Sequence, residues 1–424
     1  MTGPLLSEHA KPTRQHYLIL FMSWAGWVFD FYDLILYTYL LIPIRQELGF
    51  SNVALSYVLG ASLAATAVGG VAFGVLADRL GRKAVLQWTI LTYSLGTFLS
   101  GFASNLPMLI VFRVITGLGV GGEWATGQTF VGETFPPRVR GRYGAFMQTG
   151  APVGIALASV VGGMIAPAIG WRACFFLSVA PALLVVFIRR SLPESDLWLE
   201  RRRLKAAEAA ARGEVARRVG PSRLAMLFRP PHRRLFLLAL VLATFDMSAY
   251  WFTYSWMPGY LHDQRQLSLT KSAVWMLVTQ SGGFLGYATF GFVADRLGRR
   301  PAYTIYSVVM ALGLLMITLL WGSIVAVPQL VLGCMFLVGV GTGMFGGYGP
   351  LFAELFPTEI RSTAMGTAFN VARGVQFFTP VAIAVIARRY GLGGGISLAA
   401  LFALLTGLWV WTLPETRGRR LTAD

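Results

Sequence analysis

The stretch WVFDFYDLIL, residues 27–36, places two carboxylates, Asp30 and Asp33, inside an apolar run. At a spacing of i,i+3 they share one helix face, and Tyr37 continues that face. Two acids this close in a low dielectric are rarely both ionised, so one of them holds a proton. Four more ionisable residues interrupt apolar runs: Arg113 and Glu123 in one run, Asp246 in another and Arg373 in a third. Each costs at least about 2.5–3.5 kcal/mol at the centre of a bilayer unless it meets water or a partner. Groups kept at that cost are candidates for moving a proton or binding an ion.

Arg373 has a distinct setting. In FNVARGVQFFTP, residues 369–380, Asn370, Arg373 and Gln376 recur every three positions and read as one polar stripe, with Phe377 beside it. A guanidinium between two amides is suited to holding a planar carboxylate through two parallel hydrogen bonds. Arg373 could instead bridge only to Asp30 or Asp246, and Asp30 could cap internal backbone. Arg113, Thr116, Val120 and Glu123 fall at three/four spacing, but the two charges are about 15 Å apart along a helix axis, too far to pair directly. Gln280 and Gln148 are secondary binding candidates. The aromatics Trp27, Tyr32, Tyr37, Tyr250, Trp251, Tyr254 and Trp256 read mainly as packing, with one or two of them, Tyr37 and Tyr254 foremost, able to contact a ligand.

The elements that carry these groups follow from composition. The chain has 424 residues, is 55% hydrophobic and only 13% charged, where a soluble protein holds roughly 25% charged residues. That balance predicts a polytopic membrane protein. Apolar runs between charged or Pro/Gly-rich breaks give twelve spans, near 17–44, 53–77, 84–104, 107–130, 141–166, 170–189, 234–260, 272–294, 301–322, 327–352, 362–387 and 391–413. Each is near the 20 residues a helix needs to cross hydrocarbon. With the N-terminus inside, Lys and Arg concentrate in the inner tails and loops, which places both termini in the cytoplasm. The net charge of +17 therefore reads as topology rather than a nucleic-acid surface. The polar start, MTGPLLSEHAKPTRQHY, predicts no cleaved signal peptide. Cys174 and Cys334 read as packing residues. The sequence shows no nucleophile–base pair, phosphate loop or metal-ligand spacing, so neither an enzyme nor a cofactor or metal is expected.

The chain also repeats itself. GVLADRLGRK (74–83) returns as GFVADRLGRR (291–300), GETFPPRVRG (132–141) as AELFPTEIRS (353–362), and LPES (192–195) as LPET (413–416). Three matches in one order predict two six-helix halves, 1–190 and 234–424, joined by a basic linker, 191–233. The linker stretch RRRLKAAEAAARGEVARR reads as a surface helix resting on anionic lipid heads. Parallel halves of this kind place a binding site between them near the midplane. Asp246 falls where Asp30 stands in the first half, whereas Glu123 aligns with Met344.

The twice-occurring GxxADRxGR(K/R) loop resembles the signature of the major facilitator superfamily over essentially the whole chain. GVGGEW (119–124), FDFYDLILY (29–37) and AYWFTYSWMPGYL (249–261) resemble its metabolite:proton symporter branches, which include monocarboxylate, sialic-acid and dicarboxylate carriers. The resemblance implies an all-α fold of twelve transmembrane helices in two pseudo-symmetric halves. It implies a bacterial inner-membrane protein acting as a monomer on a small organic anion and protons, with uptake by alternating access. It makes Arg113 a neighbour of Asp30 and Asp33, either as part of the proton path or as a static ion pair with Asp33. It implies a releasable latch built on Asp78 with Arg82 and on Asp295 with Arg299, joined by Glu133 with Arg140 and Glu354 with Arg361. Substrate binding then falls to Arg373, Asn370, Gln376, Tyr37, Gln280 and Tyr254, and proton coupling to Asp30, Asp33, Glu123, Arg113 and Asp246. A proton-driven exporter of drugs or cations is the alternative, although GAPVGIALASVVGGMIAP (150–167) matches the exporters' span-five motif imperfectly.

Overall fold

A computed structural model describes residues 5–9, 11–211, 222–254, 257, 260–261, 265–266, 269–376 and 379–421. Among the described residues the chain is helical with no strand. In lipid every backbone N–H and C=O must be satisfied within the segment, and an apolar helix does this alone. Seven helical stretches among the described residues are both long and apolar enough to cross a membrane.

The first half begins with α1 (Arg14–Leu48), α2 (Asn52–Leu80), α3 (Arg82–Ser100) and α4 (Leu106–Thr134). Polar residues set the ends. Ser51 Oγ accepts from the Ala54 N–H at 3.1 Å and caps α2, and Asn105 does the same for α4 through Met108 at 3.0 Å. The expected fifth span is built from α5 (Arg140–Gln148), α6 (Gly150–Val160), a π turn (Val161–Ile165) and α7 (Ala166–Ile169). The sixth divides into α8 (Trp171–Leu177) and α9 (Ala182–Ser191). Helix α10 (Asp196–Ala211) follows in the linker, and α11 (Arg223–Leu227) leads into the second half. Arg201 and Lys205 of α10 pair with Glu359, so this helix is held by protein as well as by any surface it rests on.

The second half runs through α12 (His232–Tyr254), α13 (Leu269–Leu297), α14 (Arg299–Leu319), α15 (Trp321–Ile324) and α16 (Pro328–Gly341). A 3-10 segment (Thr342–Gly347) joins α16 to α17 (Tyr348–Leu355), followed by α18 (Arg361–Val375) and α19 (Thr379–Trp409). One boundary differs from the sequence reading. Arg388 and Arg389 were expected in a loop between the last two spans, yet α19 is helical through them. A helix of that length outruns the hydrocarbon, so Arg389 can reach water without breaking the helix. Arg389 and Tyr390 are exposed and stack with 5.5 Å from guanidinium to ring centre.

The two turns of the repeated motif have the same geometry. Gly81 joins α2 to α3 with φ 108°, and Gly298 joins α13 to α14 with φ 110°. Only glycine takes that conformation without strain. A Cβ at either position would also collide with a carboxylate, Glu194 at Gly81 and Glu415 at Gly298. Those carboxylates cap the following helices. Glu194 accepts from the Arg82 and Lys83 N–H groups at 2.8 and 3.0 Å, and Glu415 from those of Arg299 and Arg300 at 2.9 and 3.1 Å. The repeated LPES and LPET segments thus serve as helix caps.

Candidate functional site

A cavity of about 310 Å³ lies between the halves. Trp27 and Phe31 of α1, Gln148 of α5, Tyr250 and Tyr254 of α12, Gln280 and Tyr287 of α13, Phe345, and Phe369 and Arg373 of α18 line it. Aromatic faces dominate, and Arg373 is the charged side chain among the described lining residues. No described residue accepts a hydrogen bond from it. Its guanidinium interacts electrostatically with Asp30 and with Tyr250.

The predicted polar stripe on α18 fans out. Positions three apart on a helix advance by about 300°, so three of them spread over about 120°. Arg373 lines the cavity, whereas Asn370 Nδ2 donates to Gly366 O at 2.9 Å and across to Gly121 O in the other half at 3.3 Å. Gln376 Nε2 donates to Ser248 Oγ at 3.1 Å. Asn370 and Gln376 fix α18 rather than line the cavity. Gln280 and Tyr254 do line it, and Tyr254 lies against Tyr250 with ring centres 4.4 Å apart. Tyr37 is outside the lining, fully buried, with the Arg113 guanidinium 4.9 Å over its ring. Phe377 and Trp256 lie outside the described residues.

The two acids of α1 turn to different partners. Asp33 forms a two-pronged ion pair with Arg113, at 3.2 Å from Nη1 and 3.0 Å from Nη2, and also accepts from the Thr97 hydroxyl. Asp30 faces Glu123, its foremost electrostatic neighbour. No donor among the described residues reaches the carboxyl oxygens of either. Two neighbouring buried carboxyls without other partners are rarely both ionised, so the site is suited to holding a proton. Gly26 makes room for it, since a Cβ there would lie 2.2 Å from Glu123 Oε1. Behind the cavity wall Trp124 stacks on Phe369 with ring centres 3.9 Å apart, and Trp124 Nε1 donates to Gln148 Oε1 at 3.1 Å. In the second half Asp246 is fully buried with Tyr287, Tyr303 and Tyr348 as its electrostatic neighbours.

The end of the molecule that carries the repeated loops is locked by four interwoven charges per side. Asp78 pairs with Arg82 at 3.1 Å and accepts from the Ser362 and Thr363 N–H groups at 3.1 and 2.8 Å, capping α18 of the other half. Asp295 pairs with Arg299 at 2.7 Å and accepts from the Gly141 and Arg142 N–H groups at 3.1 and 3.0 Å, at the start of α5. The partners of the two glutamates are crossed relative to the sequence reading. Glu133 takes Arg82 at 2.8 Å and, from the other half, Arg361 at 2.5 Å. Glu354 takes Arg299 at 2.7 Å and, from the other half, Arg140 at 3.2 Å. The reason lies in Arg140 and Arg361, whose Nε groups are already held by their own halves, at Gly132 O and Ala353 O, leaving Nη1 to reach across. Ser195 and Thr416, beside the capping glutamates, donate to Glu133 and Glu354. Sequence reasoning missed Glu194 and Glu415 as caps, although their repetition was visible.

This chain is similar to known proteins. The sialic acid transporter of Escherichia coli is 31% identical over 92% of this chain and 93% of its own. The cis,cis-muconate transport protein of Acinetobacter baylyi is 30% identical over 87% and 88%. Among solved structures, the major facilitator proton:xylose symporter XylE superposes with a TM-score of 0.78 at 20% identity, covering 96% of this chain and 98% of that one. Two pseudo-symmetric charge clusters and a cavity on the seam accompany a match over residues 8–423 to the family described as sugar (and other) transporter, and that match makes this chain a multi-pass membrane transporter of that family, within the major facilitator superfamily.

Proposed function

We propose that this transporter carries a small organic anion, a mono- or dicarboxylate, into a bacterial cell together with one or more protons. The carrying observation is Arg373, a guanidinium with no acceptor among the described residues, lining an aromatic cavity and facing the Asp30–Glu123 carboxyl pair. The names of the relatives support the substrate class, since sialic acid and muconate are organic acids. A substrate carboxylate that claims Arg373 removes the cation facing Asp30. An unbalanced buried carboxylate then binds a proton, so anion and proton load together. With both charges neutralised, closing the cavity away from water costs less, and the gate on the opposite side releases. The halves are residues 1–190 and 234–424, with 191–233 as linker, rocking as a monomer in the cytoplasmic membrane. The distribution of Lys and Arg supports placing the gate and both termini on the cytoplasmic side.

The test is uptake of labelled sialate, muconate and lactate into proteoliposomes under an inward proton gradient. Gradient-stimulated uptake of at least one acid is expected, and its loss in Arg373→Ala. Near-normal uptake by that variant removes the assigned role of Arg373. Gradient-stimulated efflux in place of uptake overturns the direction.

A further inference from the structure

A second cavity, of about 580 Å³, opens at the gate end between the N-terminal segment, the turn before α5 and the C-terminal tail. Arg138 and Arg140 enter its lining from the first half, Arg420 from the tail of the second, and His9 from the N-terminal segment. The carboxylate in the described lining is Glu8, and its Oε2 is engaged by the Leu5 N–H at 3.0 Å. Arg140 is fully buried. Its Nε donates to Gly132 O at 2.8 Å, and its Nη1 reaches Glu354 at 3.2 Å and Arg419 O at 2.9 Å. Its Nη2 finds no acceptor among the described residues. A buried guanidinium N–H without an acceptor is costly. The ends of Arg138 and Arg420, by contrast, are on exposed residues and can swing toward a shared ligand.

We propose that this cavity is a regulatory anion site that takes a phosphate group. Arg140 supplies a fixed guanidinium in the lining, Arg138 and Arg420 supply surrounding positive charge and mobile donors, and His9 adds a ring nitrogen. Phosphate is favoured because it offers several acceptor oxygens and more than one negative charge, which matches three guanidiniums converging on one space. The lining comes from both halves, and Arg140 already bridges to Glu354 across the seam. A bound phosphate therefore adds to the contacts that exist only while this end is shut. A ligand with higher affinity for one state shifts the population toward it, so occupancy slows the cycle. The proposal rests on reading this end as the cytoplasmic gate. The phosphate source is a soluble cytoplasmic phosphate compound or the headgroup of an inner-leaflet lipid.

The first arm is thermal melting of the purified full chain with inorganic pyrophosphate, against sodium chloride of equal ionic strength. The second is uptake into phosphatidylcholine vesicles with pyrophosphate inside, or with phosphatidic acid added to the membrane. A soluble ligand predicts that pyrophosphate raises the melting temperature and slows uptake about fivefold. A lipid ligand predicts those effects from phosphatidic acid and not from pyrophosphate. In either case Arg138→Gln with Arg420→Gln removes the effect and leaves ligand-free uptake unchanged, and Arg138→Gln alone weakens it. The absence of any shift with either probe overturns the proposal, as does an undiminished shift in the double variant. Melting needs no transported substrate, so failure here is distinguishable from failure of the carboxylate reading, which Arg373→Ala tests.

Discussion

Arg361 crosses the seam between the halves to bring a guanidinium nitrogen 2.5 Å from Glu133, while Arg82 of Glu133's own half holds the same carboxylate at 2.8 Å. All three side chains are buried. Two cations on one anion leave a positive excess, which Asp78 balances at 3.1 Å from Arg82. Such a cluster is tolerable only while complete, because removing one member strands the others in low dielectric. Glu133→Gln is therefore expected to weaken the closed gate by about 3–5 kcal/mol. Labelling of a cysteine placed on α18 near Thr363 should rise, and the melting temperature should fall. Unchanged labelling would show that the crossed pairs do not hold the gate.

The paired charge clusters were legible in the sequence because their parts repeat. Asp78 and Asp295, Arg82 and Arg299 stand at matching places in matching words. The cross-seam partners were not, since a repeat names equivalent residues and says nothing of how one half is rotated against the other. The acid pair shows a similar limit. Local spacing joined Asp30 to Asp33, but the register of α1 against antiparallel α4 sends Asp33 to Arg113 and Asp30 to Glu123. On α18, spacing of three suggested a stripe, and only the neighbours of the helix decide which of Asn370, Arg373 and Gln376 meets the cavity.

Asp33 and Arg113 form a pair whose role differs from that of Asp30 and Glu123. Asp33 is held by both Nη groups of Arg113 and by Thr97, while Arg113 Nε has no acceptor among the described residues, so Arg113→Gln, which strands the buried Asp33 charge, is expected to destabilise the fold by about 3–5 kcal/mol. Adding Asp33→Asn should restore much of that melting temperature, because no charge is then left unpaired. If the double variant also recovers gradient-driven uptake, the pair is an ion-pair brace and not a step in the proton path.

The capping Glu415 gives a pH dependence with a defined sign. Burial alone would raise the Glu415 carboxyl, but N–H groups of Arg299, Arg300, Arg417 and Thr416 outweigh it and hold the carboxyl below its ordinary 4.5. A folded value below the unfolded one stabilises above the ordinary value and is lost as pH falls through the folded value. Glu415→Ala should therefore cost about 1 kcal/mol at neutral pH. The gap to the parent in melting temperature should narrow below pH 4.5. A gap that stays constant to lower pH would mean that the ionised cap contributes nothing.

Proton coupling should depend on the shape of the space around Glu123 as much as on its charge. Asp30→Asn and Glu123→Gln are each expected to abolish stimulation of uptake by a proton gradient while leaving substrate counterflow. Gly26→Ala reaches the same pair without touching either acid. Its added methyl would stand 2.2 Å from Glu123 Oε1, and overpacking of this kind costs about 1–3 kcal/mol. The cheapest relief is for Glu123 to withdraw from Asp30, which separates the two carboxyls. Gly26→Ala should thus lose gradient stimulation. Glu123→Asp, whose side chain is one methylene shorter, should restore part of it in the Gly26→Ala background. Retention of full stimulation by Gly26→Ala would place the coupling proton somewhere other than between Asp30 and Glu123.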